Sequence, residues 1–303
     1  MTLDTFLSLT TNGLSVSSIL LLVGLGLSVT FGIMGVINFA IGGFIMIGGY
    51  MVYVIQSMIF ARYADNNSFV IFLLALPFSF FVAGFIGFIL EKSLIRFLYA
   101  KPYESMLATW GVSLIMQQLA RNVFGSNNVM VNTPVMLSGG LHVIGGFQIP
   151  YNRLFILSLS IIAIAGVYLY LYRTNSGRKI RAVMQNRNMS ACLGIPTGRI
   201  DSFTFAFGSG LAGIAGCALS LLGPIGSSMG EHYIVDAFMV VVLGGVGSLA
   251  GTVGGSIVIG MLSPYLEFIT TSSMGRALVF IFVIILLQWK PEGLFVLRNR
   301  TLD

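Results

Sequence analysis

Four polar side chains within the apolar stretches of this chain are the candidates for chemistry on a solute. Asp236 stands in the segment YIVDAFMVVV and is the clearest acidic candidate, while Asn38, Gln117 and Ser209 offer neutral donors and acceptors. An ionisable group inside a membrane is costly and by default marks a functional site, so Asp236 is predicted to line a substrate path. Its place near the outer end of its stretch leaves a second interpretation, in which Asp236 is solvated or caps a helix.

Asn38 interrupts an otherwise apolar run over residues 36–47. The interruption predicts a broken helix, an amide that faces the path, or a hydrogen bond between two helices. Together with Gln117 and Ser209, Asn38 is predicted to offer amide and hydroxyl partners along the path. Such partners suit a small, neutral, polar solute, which needs no fixed charge facing it.

Groups that would supply energy for transport are missing from the sequence. A P-loop needs Gly-Lys followed by Ser or Thr, and none of the four lysines follows a glycine. A proton-driven carrier would want an acidic and histidine relay along its spans, and metal chemistry lacks support because neither His142 nor His232 neighbours a cysteine. We therefore expect no catalytic residue, cofactor or metal in this chain, and active transport would draw its energy from a partner.

A basic polar segment over residues 174–201 separates two long apolar stretches and is the predicted contact for that partner. Drawn as one helix over residues 178–193, it gathers apolar side chains on one face, which Arg187 interrupts. The members of that face are Ile180, Val183, Met184 and Ala191. Gly194 and Pro196 then end the helix. A short amphipathic helix tethered between membrane spans suits docking onto another protein or lying along the membrane surface.

The composition identifies a membrane protein. Of 303 residues, 56% are hydrophobic and 9% charged, whereas soluble domains carry about 25% charged residues. We predict an all-α polytopic protein with a single membrane domain over residues 1–303 and eight or nine transmembrane or re-entrant helices. Their apolar runs lie near residues 14–31, 36–59, 69–90, 106–120, 154–172, 203–222, 233–246, 250–268 and 277–289. The charged residues behind the net charge of +6 flank these runs. This placement argues against a nucleic-acid partner and for the lipid bilayer as the surroundings of the runs.

Small residues recur at a spacing of four within the apolar stretches. This spacing places them on one helix face, where they permit close backbone contact. Dense packing is the favoured interpretation, and a lining of the transport path is the alternative. The series are Gly24, Ser28 and Gly32; Gly208, Ala212, Gly216 and Ser220; and Gly247, Gly251 and Gly255.

The distribution of lysine and arginine predicts the orientation. Residues 92–101, 173–199 and 290–300 hold three, six and three of the sixteen cationic residues, and the opposite side holds the remaining four. Because cytoplasmic loops carry the excess of Lys and Arg, the basic segment and the C-terminus are predicted to be cytoplasmic. The N-terminus is then extracytoplasmic.

The loop over residues 122–152 is consequently predicted to lie outside. Its Gly145–Gly146 pair between two short apolar runs suits a hairpin turn. The loop either connects two helices and does nothing more, or forms a landing surface for a soluble partner.

The segment GRKIRAVMQNRNMSACLGI resembles the cytoplasmic loop of permeases in branched-chain amino-acid and related ABC importers. One residue more separates Asn186 from Ala191 than in that family's pattern. The resemblance continues in SVTFGIMGVINFAIGGFIMIGGY, in AFMVVVLGGVGSLAGTVGG and in KPEGLF, in that order, and covers essentially the whole chain. The residues that match the loop pattern are Gly177, Arg181, Ala182, Asn186, Ala191, Gly194 and Ile195.

Within that family the chain is most similar to urea ABC transporter permeases, through the segments at 185–216 and 233–247 and the loop phrase SGGLHVIGGFQIPYNRLFI. Branched-chain amino-acid permeases more often have Lys at the position of Asp236. The resemblance implies the ABC importer permease fold in a bacterial inner membrane. It also implies a paralogous second permease, two cytoplasmic ATPases that bind the ATP, and an extracytoplasmic protein that delivers urea. The residues that it places at the ATPase contact are Arg178, Arg181, Ala182, Asn186, Ala191 and Gly194.

Two rival functions remain compatible with these observations. The first is a permease of the same architecture for branched-chain amino acids or short amides. The second belongs to another class, a passive channel for a small neutral solute in which the basic segment is a regulatory or structural loop. Dependence of uptake on an ATPase separates the importer from the channel.

Overall fold

The computed structural model describes residues 3–60, 68–99, 101–142, 148–291 and 293–295, and they form a helical bundle. Two strands, β1 (Gly140–His142) and β2 (Gln148–Pro150), and two 3-10 turns, Ile95–Phe97 and Val135–Leu137, interrupt it. The helices are α1 (Leu3–Met34), α2 (Ile41–Phe60), α3 (Ser68–Ser93), α4 (Pro102–Phe124), α5 (Tyr151–Arg173), α6 (Asn175–Gln185), α7 (Arg187–Cys192), α8 (Thr197–Leu219), α9 (Glu231–Gly244), α10 (Leu249–Ile269) and α11 (Ser272–Trp289).

Seven helices of the described residues are long and apolar enough to cross a membrane: α1, α2, α3, α5, α8, α10 and α11. The two other predicted runs correspond to α4 and α9. Helix α9 has 14 residues, or about 21 Å of rise, less than the roughly 30 Å of a hydrocarbon core. The predicted all-α polytopic architecture is confirmed, with α9 as the shortest of the nine runs.

Helix α8 packs against α1, α2 and α3 at the centre of the bundle. Its small residues allow backbones to touch: a methyl group on Gly216 would lie 1.8 Å from the Ile45 carbonyl oxygen, and one on Gly208 would lie 2.7 Å from that of Gly26. The spacing of four in this helix therefore serves close packing. Gly247 does not share a helix face with Gly251, because it lies before α10 with a φ of +78°.

The start of α9 packs against the start of α2. A methyl group on Gly230, just before α9, would lie 1.9 Å from the Gly42 carbonyl oxygen near the start of α2. The end of α9 is held by the C-terminal segment, where Leu294 N donates to Leu243 O at 2.8 Å and Phe295 N donates to Gly244 O at 3.1 Å. Both ends of this short helix are thereby fixed by other parts of the chain.

The predicted hairpin in the loop over residues 122–152 is present. Strands β1 and β2 pair antiparallel, with Leu141 opposite Ile149. The predicted turn residues Gly145 and Gly146 lie outside the described residues. An isolated bridge between Val129 and Ile225 ties the same loop to the segment that leads into α9.

Candidate solute path and cytoplasmic loop

Asp236 lies on the wall of an open cavity of about 360 Å³, called here the outer cavity. The cavity is bounded by the end of α8, the segment that follows it, α9 and the start of α11, and its exposed surface is mainly polar. Asp236 is half-buried. The lining residues are Asn128, Leu219, Leu222, Gly223, Pro224, Gly226, Ser228, Met229, His232, Tyr233, Asp236 and Arg276.

The outer cavity contains both signs of charge. Arg276, from the start of α11, lines it together with Asp236, and Arg276 Nε lies 3.9 Å from Glu267 Oε1. Asp236 stands five positions after the first residue of α9, in the helix interior, so it does not cap that helix. It makes no hydrogen bond to any residue that the structure describes, which leaves its carboxylate oxygens able to accept hydrogen bonds from a solute.

Gln117 is buried beside a second, largely apolar cavity of about 270 Å³ between α4, α9 and the start of α2, and it does not line that cavity. Its side-chain nitrogen donates to Glu231 Oε1 at 2.8 Å, and Glu231 lines that cavity. Trp110 of α4 closes one side with an indole that is 52% exposed. Gln117 therefore orients a carboxylate at the wall of the second cavity, at a distance from the outer one.

Asn38 is fully buried and lines neither cavity. It lies in the non-helical stretch between α1 and α2, so the broken-helix interpretation is confirmed for the backbone. Its side-chain oxygen accepts from Ala40 N at 2.9 Å, and the next residue, Phe39, donates its N–H to Thr109 Oγ1 at 3.0 Å. These bonds satisfy backbone groups at the entry to α2, which suits Asn38 to a structural role in this turn.

Ser209 is fully buried between α8 and α3. Added bulk on the facing Gly87 would lie 2.3 Å from Ser209 Oγ, so the two helices touch here. Ser209 also lines neither cavity. The structure thus separates the four predicted path residues: Asp236 lies in the outer cavity, Gln117 supports the second, and Asn38 and Ser209 pack elsewhere.

The basic segment folds as two helices, so its interpretation as one continuous helix is wrong. Asn186 takes an extended backbone (φ −156°, ψ 105°) between α6 and α7. Its side-chain oxygen accepts from Met189 N at 2.9 Å and caps α7. An N-cap competes with helix continuation because its own backbone is non-helical. Ala191 consequently leaves the face that carries Ile180 and Val183.

The apolar face of α6 packs on the protein's own bundle. Ile180 and Val183 are each 3% exposed. Met184 reaches the junction of α1 with the loop before α10, where a methyl group on Gly247 would lie 3.2 Å from its terminal carbon. Arg178 is exposed, and the Arg181 guanidinium lies 4.7 Å from the centre of the Tyr172 ring.

Helix α7 presents the accessible apolar surface of the segment. Met189 is 58% exposed and Leu193 is 75% exposed, and Ala191 and Gly194 are exposed beside them. Gly194 has a φ of +80°, a conformation that ends α7 and favours glycine. Of the predicted partner-contact residues, Ala191 and Gly194 thus lie on this surface, Asn186 shapes it, and Ala182 is half-buried on α6.

Comparison with known families matches the model described as "Branched-chain amino acid transport system / permease component" to residues 9–287. The chain belongs to this family. A high-affinity branched-chain amino acid transport system permease protein, BraD of Pseudomonas aeruginosa, is 27% identical over 289 residues, 93% of each chain. The permease protein LivH of Escherichia coli strain K12 is 26% identical over 305 residues, 95% of each. No solved structure gives a significant match.

Membership confirms the resemblance at the level of the permease family, and specificity for urea stays a prediction. Residues of this permease that sequence reasoning missed share one property. Arg276, Glu231 and Tyr233 lie at helix ends, where a polar residue signals only a boundary. Their placement on the two cavities follows from how α9 packs beside α4 and α11.

Proposed function

We propose that this permease carries urea across the bacterial inner membrane as the transmembrane subunit of an ATP-driven importer. The observation that carries the proposal is the carboxylate of Asp236, without a hydrogen-bond partner among the described residues, in the same cavity as Arg276. Urea presents N–H donors on one side and a carbonyl acceptor on the other. Asp236 accepts from the first and Arg276 donates to the second.

A branched-chain amino acid is the alternative substrate, and the printed names of the relatives favour it. A zwitterion would also pair its charges with Asp236 and Arg276. Its aliphatic side chain would need an apolar wall, whereas the surface of the outer cavity is mainly polar. A site of this kind favours a small amide over an aliphatic amino acid.

Two ATPase subunits in the cytoplasm bind the ATP, so this chain needs no cofactor of its own. Helix α7 is the surface that this chain offers for their docking. The exposed side chains of Met189 and Leu193 supply the apolar part of this contact. Arg178, exposed on α6, adds a cation beside it. An apolar centre with charge at the rim is the usual composition of a protein interface.

A paralogous second permease packs against α4. This helix exposes Leu107, Trp110, Ile115 and Leu119, yet it also carries Glu104, Gln117, Gln118 and Arg121 and falls outside the helices apolar enough to span lipid. A mixed surface of this kind suits another protein better than hydrocarbon. The second cavity, which Trp110 borders, then lies at the interface of the two permeases.

An extracytoplasmic binding protein lands on the loop over residues 122–152. Large apolar side chains are exposed there, among them Met130 at 76%, Val135 at 79% and Met136 at 74%. Exposed apolar groups outside a membrane mark a contact for another protein. The loaded binding protein delivers urea at this side, and closure of the ATPases moves α7 so that the helices alternate access.

Transport in proteoliposomes that contain both permeases, both ATPases and the binding protein tests the function. We expect uptake of radiolabelled urea that requires ATP, and weak uptake of radiolabelled leucine. A complex whose ATPases lack the P-loop lysine is the control. Urea flux without ATP would identify a passive channel, and ATP-dependent uptake of leucine alone would identify an amino-acid permease.

A further inference from the structure

A buried polar cluster lies at the predicted cytoplasmic end of the bundle, and transport through the cavities makes no use of it. Arg187 Nη2 lies 2.6 Å from Oδ2 of the fully buried Asp201. The Asp201 oxygens have no hydrogen bond of ordinary geometry, so this attraction is ionic. The Arg187 guanidinium also lies 4.6 Å from the centre of the Tyr99 ring. We call Glu91, Tyr99, Arg187, Asp201 and Ser202 the cytoplasmic cluster.

A second carboxylate completes the cytoplasmic cluster. Glu91 is fully buried and accepts hydrogen bonds from the Tyr99 hydroxyl and, through its other oxygen, from the Ser202 hydroxyl. Burial and the hydrogen bond to Glu91 raise the pKa of Tyr99 above its ordinary value, so the hydroxyl keeps its proton and acts as the donor. Two buried carboxylates thus depend on one guanidinium and two hydroxyls.

The cytoplasmic cluster joins elements that are distant in sequence. Glu91 belongs to α3, Asp201 and Ser202 belong to α8, and Arg187 is the first residue of α7. Tyr99 follows the 3-10 turn after α3. The contact therefore connects the surface proposed for the ATPases to two membrane-spanning helices.

Helices α3 and α8 are in backbone contact because glycines of α8 face α3. A methyl group on Gly213 of α8 would lie 2.7 Å from the Ser79 carbonyl oxygen of α3. One on Gly210 would lie 2.7 Å from the Phe80 ring. Interfaces packed this closely transmit displacement and do not deform continuously.

Helix α7, in contrast, is held weakly. Its six residues bury only Ser190, and non-helical backbone at Asn186 and Gly194 flanks it. Arg187 is the side chain of α7 that pairs with a buried carboxylate of α8. A displacement of α7 therefore reaches α3 and α8 through this residue.

We propose that Arg187 is a positioning residue that transmits movement of α7 to α3 and α8, so that ATP hydrolysis in the partner drives transport. This inference rests on the proposed ATP-driven function. Removing Arg187 leaves the buried carboxylate of Asp201 without its cation and weakens the connection between α7 and α8, called here the joint. Loss of such a joint lowers the amount of solute carried per ATP hydrolysed. Loss of a contact that only stabilises the fold lowers transport and hydrolysis together.

The test uses the reconstituted five-component complex, with radiolabelled urea and radiolabelled leucine as probes in parallel. We expect Arg187→Gln to lower the transported solute per ATP by roughly tenfold or more, since the buried pair is lost. Arg187→Lys should restore part of the coupling. Arg199→Gln is the matched control, because Arg199 is exposed in the same loop.

A milder variant covers the case in which Arg187→Gln does not assemble. Tyr99→Phe keeps the ring beneath Arg187 and removes only the hydroxyl that binds Glu91, so the transport-to-hydrolysis ratio should fall several-fold. Tyr168→Phe is its control, since Tyr168 is 52% exposed on α5, away from the cluster. If Arg187→Gln fails to assemble, the ratio of transported solute to hydrolysed ATP in Tyr99→Phe decides whether the cluster couples the two processes.

The outcomes separate the inference from the function on which it rests. No ATP-dependent uptake of either probe by the wild-type complex would contradict the proposed function. If the wild type transports and the cluster variants keep its ratio of transported solute to hydrolysed ATP, the inference about Arg187 is wrong. Proportional losses of uptake and ATP hydrolysis, together with lower thermal stability, would show that the cluster only stabilises the fold. That result would also contradict the inference.

Discussion

At the scale of single residues, the placement of carboxylates distinguishes structure from a solute path. Glu91 and Asp201 are fully buried, and each has a cation or hydroxyl partner. Asp236 is half-buried in the interior of α9 and faces a cavity that is open. A carboxylate kept near the membrane without a hydrogen-bond partner is costly unless a ligand or water meets it.

The Asp236 series tests whether this carboxylate contacts the solute. Asp236→Asn should keep partial urea uptake because the amide oxygen still accepts a hydrogen bond. Asp236→Ala should lose more, by roughly 1–3 kcal/mol for groups left unpaired, and Asp236→Lys should nearly abolish uptake. Uptake normalised to folded complex is the measurement.

Asp4→Asn is the control for the Asp236 series, because Asp4 is an exposed carboxylate in the first turn of α1, outside both cavities. Equal normalised uptake in Asp236→Ala and wild type would end the substrate-path role. Lower stability with unchanged transport in Asp236→Ala would instead assign the residue to the fold.

At the scale of elements, glycines and caps decide how helices meet. The close contact of α9 with α10 depends on Gly251, where a methyl group would lie 2.0 Å from the Gly244 carbonyl oxygen. The break between α6 and α7 depends on Asn186, which caps α7. At Gly251 the absence of a side chain permits close helix contact. At Asn186 a short polar side chain begins a new helix and so interrupts the segment.

Gly251→Leu should force α9 away from α10. Overpacking of this kind costs about 1–3 kcal/mol or more, so the extracted complex should be unstable or lost, as judged by size-exclusion chromatography. Gly166→Leu is the matched control, since nothing lies within 4 Å of that position on α5. Normal assembly of Gly251→Leu with only a changed transport rate would mean that these glycines line the path.

Leu193→Glu should weaken the ATPase contact, because it places a charge in the exposed apolar surface of α7. Co-purification of the ATPases with the permeases should fall while membrane insertion is kept. Val135→Glu is the comparison, as Val135 is similarly exposed, at 79% against 75%, in the opposite loop. Undiminished co-purification of Leu193→Glu would remove α7 from the ATPase interface.

At the scale of the whole molecule, cationic residues predict which face of the bundle is cytoplasmic. Arg173 ends α5 and Lys290 follows α11, and the basic helices α6 and α7 follow α5 directly. The loop over residues 122–152 and its hairpin lie between α4 and α5, which should be the opposite face. The excess of Lys and Arg therefore predicts that α7 and the C-terminus face the cytoplasm.

The two native cysteines provide a test of this orientation. Cys192 is exposed beside the surface of α7, and Cys217 is buried in α8. A membrane-impermeant maleimide should label the permease, expressed without its ATPases, in inside-out vesicles and leave it unlabelled in spheroplasts. Cys192→Ser should abolish the signal. Labelling from the spheroplast side would invert the proposed topology.

The sequence by itself determined the class of protein and the approximate position of the membrane helices. Lipid offers no hydrogen-bond partners, so a spanning backbone must be helical and an apolar run predicts it locally. Each of the nine predicted runs contains a helix, including those that became α4 and α9. The helix-ending signal at Gly194 was also correct, because a residue with positive φ ends a helix locally.

Only the tertiary structure decided which polar residues meet. Asp236 and Arg276 lie forty positions apart and share a cavity, while Asn38 and Ser209, equally polar in sequence, pack away from it. A helix that is apolar all round carries no pattern that tells its faces apart. The partner of each polar group is therefore set by how helices pack, as with Arg187, which looked like an intrusion on an apolar face and pairs with Asp201.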